Sequence, residues 1–209
     1  YVAGTFQSTV YAAPSTTTTY TASVSNGTCN SPGTPVTVTV NTPVVITAQP
    51  GNGTACVGVT KTLSVTATGT ALTYQWQVDM GSGYANITTG TPTNPSTFIY
   101  TGQTTTTLSI NTVMSTMNGY KYRCVVTGTC PGSLNSNEVT LAVSSLPAVS
   151  VASSAQCSPT TLTASGANTY SWSPSAGLSA TTGATVTANP TANTIYTVTG
   201  TNTTTGCVN

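Results

Sequence analysis

The sequence predicts an all-β chain built from tandem β-sandwiches, and three observations support this fold class. Val and Thr recur in alternating patterns, and these β-branched residues suit the half-buried face of a sheet. No window of about 11–18 residues shows the periodicity of an amphipathic helix. The chain also resembles itself along its length, as expected when one folding unit is repeated.

The repeats are marked by aromatic residues and cysteines at matching positions. Three tyrosines are each followed 8–11 residues later by a cysteine: Tyr20 by Cys29, Tyr122 by Cys130, and Tyr196 by Cys207. Earlier in the unit, a cysteine precedes an aromatic-x-Trp strand: Cys56 precedes Trp76, and Cys157 precedes Trp172. A complete unit therefore has an early cysteine, a Trp strand, a variable middle, a Tyr strand and a late cysteine.

These matches divide the chain into three parts. Residues 1–41 hold the second half of a unit, residues 42–145 a complete unit, and residues 146–209 a nearly complete one. The boundaries lie at Asn41-Thr-Pro43 and at Ser144-Ser-Leu-Pro147, because each follows a terminal Val-rich strand and proline cannot continue a central strand.

The complete unit has enough strands for a sandwich. Candidate strands cover residues 43–49, 61–69, 72–79, 105–111, 118–128 and 136–143, with weaker ones between 83 and 101. About seven short strands in about 100 residues is typical of two packed sheets. Alternation such as Leu63, Val65, Ala67 places one face of each strand in the core. The predicted core residues are Tyr20, Trp76, Tyr122, Trp172 and Tyr196.

Charge is nearly absent, which excludes several classes of function. The chain has five charged residues and no histidine: Lys61, Asp79, Lys121, Arg123 and Glu138. Acid–base pairs, a Ser-His-Asp triad and an imidazole metal site are therefore not expected, so we predict no catalytic residues, no cofactor and no metal. A net charge of +1 does not suit nucleic acid, and no apolar run approaches the roughly 20 residues of a membrane span.

The central unit resembles an immunoglobulin-like (Ig-like) domain. Trp76 lies on the third strand, and Leu108-Ser-Ile110 is followed by Asn118-Gly-Tyr-Lys-Tyr122-Arg-Cys124, with Tyr122 placed as in a tyrosine corner. Two positions depart from the family pattern. Asn118 replaces the usual Asp, and Val65 stands where the disulfide partner of Cys124 is expected, so the usual inter-sheet disulfide cannot form.

The whole chain is similar to the tandem Ig-like and PKD-like repeats of giant Bacteroidota cell-surface proteins, including gliding-motility adhesins exported by the type 9 system. The phrases that carry the resemblance are Tyr74-Gln-Trp-Gln, Asn118-Gly-Tyr-Lys-Tyr-Arg-Cys, Ser171-Trp-Ser-Pro and Ile195-Tyr-Thr-Val-Thr-Gly-Thr-Asn. It implies an extracellular rod or filament at the cell surface and implies no binding site.

The six cysteines are widely spaced without a CxxC pair, which favours disulfides in an oxidising compartment over zinc. Repeat equivalence pairs Cys56 with Cys130 and Cys157 with Cys207, leaving Cys29 to an upstream partner and Cys124 as a lone buried thiol. However, the turns that would carry Cys56 and Cys130 lie at opposite ends of an Ig-like sandwich. Two alternatives therefore stay open: Cys56–Cys124, and an inter-domain link that brings Cys56 near Cys207.

The leading functional hypothesis is the shaft of an extracellular fibre or long surface adhesin, which self-associates because little charge repels neighbouring chains. One alternative is a carbohydrate-binding module of a secreted enzyme, in which Tyr84, Phe98 and Tyr100 contact surface glycans; packing over the sheet is the other interpretation of these rings. A phage or viral fibre decoration is the third hypothesis. Lys121 and Arg123 are interpreted as solvated surface, and Asp79 with Asn86 has too few carboxylates for calcium.

Overall fold

The computed structural model describes residues 9–25, 27–88, 99–130, 132–154 and 159–209. Within these residues the secondary structure consists of β-strands and one short 3-10 turn at Ser115–Met117. No helix in the described part of the chain is long and apolar enough to cross a membrane. The predicted fold class is confirmed: the chain is all-β and forms tandem Ig-like β-sandwiches.

The first element is an isolated hairpin of β1 (Thr18–Ser25) and β2 (Asn30–Val38), paired antiparallel. Tyr20 lies directly opposite Val36 in the register, so the two side chains share one face. That face is not a core, because Tyr20 is 42% exposed and Val36 63%. The prediction of Tyr20 as a core residue is wrong, since no second sheet among the described residues covers the hairpin.

The next group of strands forms the central unit. These strands are β3 (Val45–Ala48), β4 (Thr54–Cys56), β5 (Lys61–Ser64), β6 (Thr66–Thr68), β7 (Thr73–Asp79), β8 (Tyr84–Asn86), β9 (Tyr100–Thr101), β10 (Thr107–Ile110), β11 (Lys121–Thr127), β12 (Ser133–Asn135), β13 (Val139–Thr140) and β14 (Ala142–Ser144). One layer has the order β5-β10-β9, with β3 paired to β6. The other has the order β12-β11-β7-β8, with β13 also on β11. This division into two sheets is that of an Ig-like sandwich.

Two predicted strands are each divided in the structure. Residues 61–69 form β5 and β6, which pair with β10 and β3 respectively, and Val65 is the buried residue between them. Residues 136–143 fall into β13 and β14, which pair with β11 and β4. Each strand changes neighbour midway, and alternation along a single strand does not reveal such a change.

The core of the central unit comes from alternate residues on facing sheets. Trp76 on β7 and Tyr122 on β11 are fully buried, and the Trp76 indole N–H donates to the Thr105 carbonyl at 2.9 Å. Val65 and Cys124 are also buried, where other Ig-like domains place a disulfide. Ordinary side-chain packing thus occupies the place of that bridge.

The last strands form the C-terminal unit. These are β15 (Ser150–Ser153), β16 (Thr160–Ser165), β17 (Thr169–Ser173), β18 (Thr185–Ala188) and β19 (Thr197–Thr201), in two sheets of order β15-β16-β18 and β17-β19. Trp172 is buried, and its indole N–H donates to the Gly183 carbonyl at 2.9 Å. The Trp76 indole of the central unit likewise donates to a backbone carbonyl, that of Thr105.

Tyr196 does not take the place that Tyr122 has in the central unit. It is half-buried, lies just before β19 and donates its hydroxyl hydrogen to the Ala176 carbonyl at 2.6 Å. The buried cluster of this unit consists of Ala164, Tyr170, Trp172 and Val186. The prediction of Tyr196 as a core residue is therefore corrected: its ring packs at the margin of the sandwich, because it precedes the paired part of the strand.

Candidate functional site

A disulfide joins the central unit to the C-terminal unit. It links Cys56 to Cys207, with their Cα atoms 5.6 Å apart and a sequence separation of 151. The repeat-equivalent pairing of Cys56 with Cys130 and of Cys157 with Cys207 is wrong, as is Cys56–Cys124, because each would use a cysteine that is bonded elsewhere. Cys157 itself lies outside the described residues, and the bond is the inter-domain link that the sequence left open.

The short strand β4 brings Cys56 to the end of the central unit. It runs parallel to β14, which places Cys56 in register with Ser144, and the Val57 amide donates to the Ser144 carbonyl at 3.0 Å. Gly53 allows this close approach, since a Cβ there would lie 2.1 Å from the Thr140 carbonyl oxygen. The first strand is thus rearranged so that Cys56 lies beside the residue from which the chain leaves the unit.

A turn after β19 brings Cys207 to the same point. The Asn202 side-chain oxygen accepts the amides of Thr204 and Thr205 at 3.0 and 3.2 Å, and Gly206 has φ +73°. The chain then doubles back, and Val208 pairs with Thr201 across the turn. Cys207 is completely buried as a result. The sequence carried a signal for this turn, because Tyr196 to Cys207 is longer than Tyr122 to Cys130.

The junction between the units is held at more than one place. The peptide linker covers the five residues 145–149 between β14 and β15. Beside it lie the disulfide and a hydrogen bond of 2.8 Å from the Asn209 side-chain amide to the Pro147 carbonyl. The disulfide and this hydrogen bond both restrict motion about the linker.

The other cysteines have different surroundings. Cys124 is buried within the central core, and burial raises the pKa of its thiol to about 11. Cys130 is half-buried, and its sulfur lies 3.3 Å from the Asn41 carbonyl oxygen at the start of the central unit. Cys29 is exposed in the turn of the N-terminal hairpin. The expectation of an upstream partner for Cys29 stays a prediction.

Four of the five charged residues gather on one sheet surface of the central unit. They lie on or beside the outward faces of β7 and β11: Asp79, Lys121, Arg123 and Glu138. Asp79 is directly opposite Lys121, which pairs on its other side with Thr140 of β13. We call this surface, together with Tyr84 and Gln77, the polar face.

Side chains on the polar face form a connected network. Glu138 accepts a hydrogen bond from the Tyr84 hydroxyl at 2.7 Å and pairs with the Lys121 ammonium at 2.9 Å. The Arg123 guanidinium lies over the Tyr84 ring, 3.9 Å from its centre, and its Nε donates to Gln77 at 2.8 Å. Both cations lie on the outward face of β11, where the Lys121 side chain is 45% exposed, and both also contact neighbours on other strands.

The network keeps its charges over the ordinary pH range. Partial burial and the bond to Glu138 raise the pKa of Tyr84 to about 12. The Tyr84 hydroxyl, followed by the Lys121 ammonium, lowers the pKa of Glu138. The Glu138 carboxylate raises the pKa of Lys121. Tyr84 and Lys121 therefore stay protonated and Glu138 stays ionised, which are the states that their mutual hydrogen bond and ion pair require.

Asp79 serves a local structural role. Its Oδ1 accepts the backbone amides of Gly81 and Gly83 at 2.8 and 2.9 Å, closing the turn between β7 and β8. These two bonds lower the pKa of Asp79. In the described part of the chain, no three Cys, Asp or Glu residues come close enough together to hold a metal ion.

The tyrosines proposed as a glycan-binding patch do not form an open platform. Tyr100 is buried, with its ring edge-on to Tyr122 and the two hydroxyl oxygens 2.9 Å apart. The face of Tyr84 is covered by Arg123. Phe98 lies outside the described residues. For Tyr100, the packing interpretation is therefore the one the structure supports.

Comparison with known proteins gives matches at the level of structure. No protein-family model and no curated protein matches this sequence. Similar solved structures include D1 of Duf (Kirre), at 20% identity and TM-score 0.39 over 49% of this chain and 98% of that one. Titin domains z1z2 in complex with telethonin give 17% identity and TM-score 0.42 over 79% and 91%. The N-terminal Ig1-2 module of the Drosophila receptor protein tyrosine phosphatase DLAR gives 15% and 0.37 over 79% and 93%. At these scores the likeness is loose, and the fold assignment depends on the strand order and cores described above.

Proposed function

We propose that this chain is a non-enzymatic shaft segment of an extracellular protein, in which neighbouring Ig-like sandwiches are joined as one stiff rod. The observation that supports this role most directly is the Cys56–Cys207 disulfide, which ties two separately packed cores to each other. A disulfide inside one core would stabilise that core alone. A disulfide between cores adds a constraint on their relative orientation.

The stiffness follows from having two covalent connections. A linker of five residues alone would let one sandwich swing relative to the other. The disulfide adds a second connection, and Asn209 adds a hydrogen bond to the linker at Pro147. The disulfide lies beside the start of the linker, since Cys56 is in register with Ser144, so the two connections together limit how far the units can separate and swing. A junction restrained in this way suits a shaft that presents something at a distance.

The topology also protects the two units from tension. Residues 57–206 lie in the loop closed by the disulfide. Tension transmitted along the chain passes from one cysteine to the other through the bond, so the strands from β5 to β19 carry none of it. Strands β3 and β4 precede the loop and stay in the loaded path. A shaft made this way lengthens under load only through the segments outside the two cysteines.

Disulfide chemistry supports an extracellular location, because such bonds persist in oxidising compartments. The surface is rich in Thr, Ser and Asn and nearly free of charge, and it resembles the repeats of giant Bacteroidota surface proteins at the phrases given above. We therefore assign the shaft to a cell-surface filament or long adhesin, with self-association between chains.

Small-angle X-ray scattering of oxidised protein and of the Cys207→Ser variant tests the stiff junction. We expect one narrow distribution of interatomic distances for the oxidised protein and a broader one for the variant. The matched control is Cys130→Ser, which removes a half-buried sulfur but leaves the junction intact. Identical distributions for the oxidised protein and Cys207→Ser would refute the proposed stiffening.

A further inference from the structure

We propose that the polar face is the surface through which two copies of this chain bind each other. This inference rests on the proposed shaft function and names the contact between neighbouring shafts. It depends on how the charges are ordered on the sheet, and on their near absence elsewhere.

The charges alternate in sign from strand to strand. Lys121 and Arg123 point outward from β11, with one residue between them. On one side, β7 carries Asp79 directly opposite Lys121. On the other side, Glu138 immediately precedes β13 and reaches Lys121 at 2.9 Å. The face therefore has a column of cations between two flanking carboxylates.

This order is self-complementary. In a two-fold dimer each residue contact occurs twice, so a surface must match itself after rotation. When the axis runs parallel to the strands and lies between β11 and a neighbour, each cation column faces a carboxylate of the other copy. The displacement needed is one strand spacing, about 4.8 Å. An axis centred on β11 would instead place cation on cation.

The charged groups are already positioned for such a contact. The Arg123 guanidinium is held in place over the Tyr84 ring and by the Nε bond to Gln77, and its two terminal amino groups make no hydrogen bond within the described residues. Planar guanidinium groups with free terminal nitrogens bind carboxylates in a two-pronged geometry. Because Arg123 is fixed beforehand, binding requires little further loss of side-chain freedom.

Breaking the Lys121–Glu138 ion pair so that these side chains can bind another copy costs little free energy. The side chains of Lys121 and Glu138 are 45% and 42% exposed, and such exposed ion pairs contribute little to stability. A carboxylate or ammonium from another copy can therefore replace or bridge the existing pair.

A second copy suits this surface better than a partner of one strong charge. The four charges of the polar face sum to zero, so it attracts neither a polyanion nor a polycation over distance. Lys61, on the opposite sheet, is the remaining charged residue of the chain. A partner that offers both signs at strand spacing is required, and the chain itself provides one.

Sedimentation velocity on the oxidised protein tests this contact at low and high salt. At about 20 mM salt, where screening is weak, we expect the weight-average mass to rise with concentration toward twice that of one chain. At about 500 mM salt it should fall to that of one chain. Association that does not respond to salt would overturn the proposal, and would direct attention to the exposed apolar face of Tyr20 and Val36.

Charge-reversal variants test whether the polar face is the surface that forms the contact. Lys121→Glu with Arg123→Glu makes the face anionic, and Asp79→Lys with Glu138→Lys makes it cationic. Each double variant alone should sediment as one chain, and an equimolar mixture should recover the two-chain mass. The matched control is Lys61→Glu, which alters charge on the other sheet and should associate like the unmodified protein.

Fluorescence of the buried tryptophans verifies folding of each variant. If replacing Asp79 opens the turn it closes, Glu138→Lys alone serves as the cationic partner. The proposal is overturned if either folded double variant associates like the unmodified protein. It is also overturned if Lys61→Glu loses association to the same extent, or if the mixture does not recover the two-chain mass. None of these outcomes bears on the Cys207→Ser scattering test, so the two proposals fail separately.

Discussion

Tension applied to the two ends of the chain should reveal whether the disulfide diverts load from both cores. The relevant change is loss of the Cys56–Cys207 bond, by reduction or by Cys207→Ser. In the oxidised protein the bond spans 5.6 Å between Cα atoms and closes a separation of 151 residues. Once it is broken, those residues become available for extension. At about 3.5 Å per residue this adds about 530 Å of contour length.

Single-molecule pulling in an optical trap or an atomic force microscope measures this length. We expect the oxidised protein to extend only by its segments outside the two cysteines, which hold 57 of the 209 residues and add at most about 200 Å. The reduced protein should add the further length in two steps, because its two cores are separate clusters.

The control for this measurement is Cys130→Ser pulled in the oxidised state, which should show the short extension of the unmodified protein. The reasoning is refuted if oxidised and reduced molecules extend equally. It is also refuted if the oxidised protein unfolds its cores at forces that leave disulfides intact.

Three further predictions concern the central unit. Gly53→Ala should lower the free energy of unfolding by about 2 kcal/mol in urea titrations, because its Cβ would lie 2.1 Å from a backbone oxygen; Gly51→Ala, which meets open space, is the control and should stay close to the unmodified value. Tyr84→Phe should cost about 1 kcal/mol at neutral pH through the lost bond to Glu138, and an unchanged urea midpoint would contradict this. Because the pKa of Tyr84 rises from 10.0 to about 12 on folding, its contribution is complete below pH 10.0 and lost as the pH rises toward about 12; the variant should lack this part of the alkaline decline. Cys124, with its thiol pKa near 11 and its side chain buried, should resist a thiol reagent at about pH 8 until denaturant is added, and rapid native labelling would disprove its burial.

The alternation of apolar and polar residues along the chain was sufficient to predict the strands and, in the complete unit, which face of each strand is buried. Alternation along a strand determines which side chains share a face, and this holds for Trp76 and Tyr122. It was not sufficient for Tyr20, which the repeat matches to the buried Tyr122. Burial also requires a covering sheet, and among the described residues no second sheet covers the hairpin that carries Tyr20.

The sequence by itself determined the all-β class and the repeated unit, because both depend on the spacing of neighbouring residues. Only the tertiary structure decided that Cys56 bonds Cys207, since this follows from parallel pairing of β4 with β14 and from the turn at Asn202. It also decided that Asp79, which lies far from Glu138 in sequence, shares a sheet surface with it. Contacts of this kind depend on which distant strands become neighbours. The alternation within a single strand determines which of its side chains share a face, but it does not identify the strand that lies beside it.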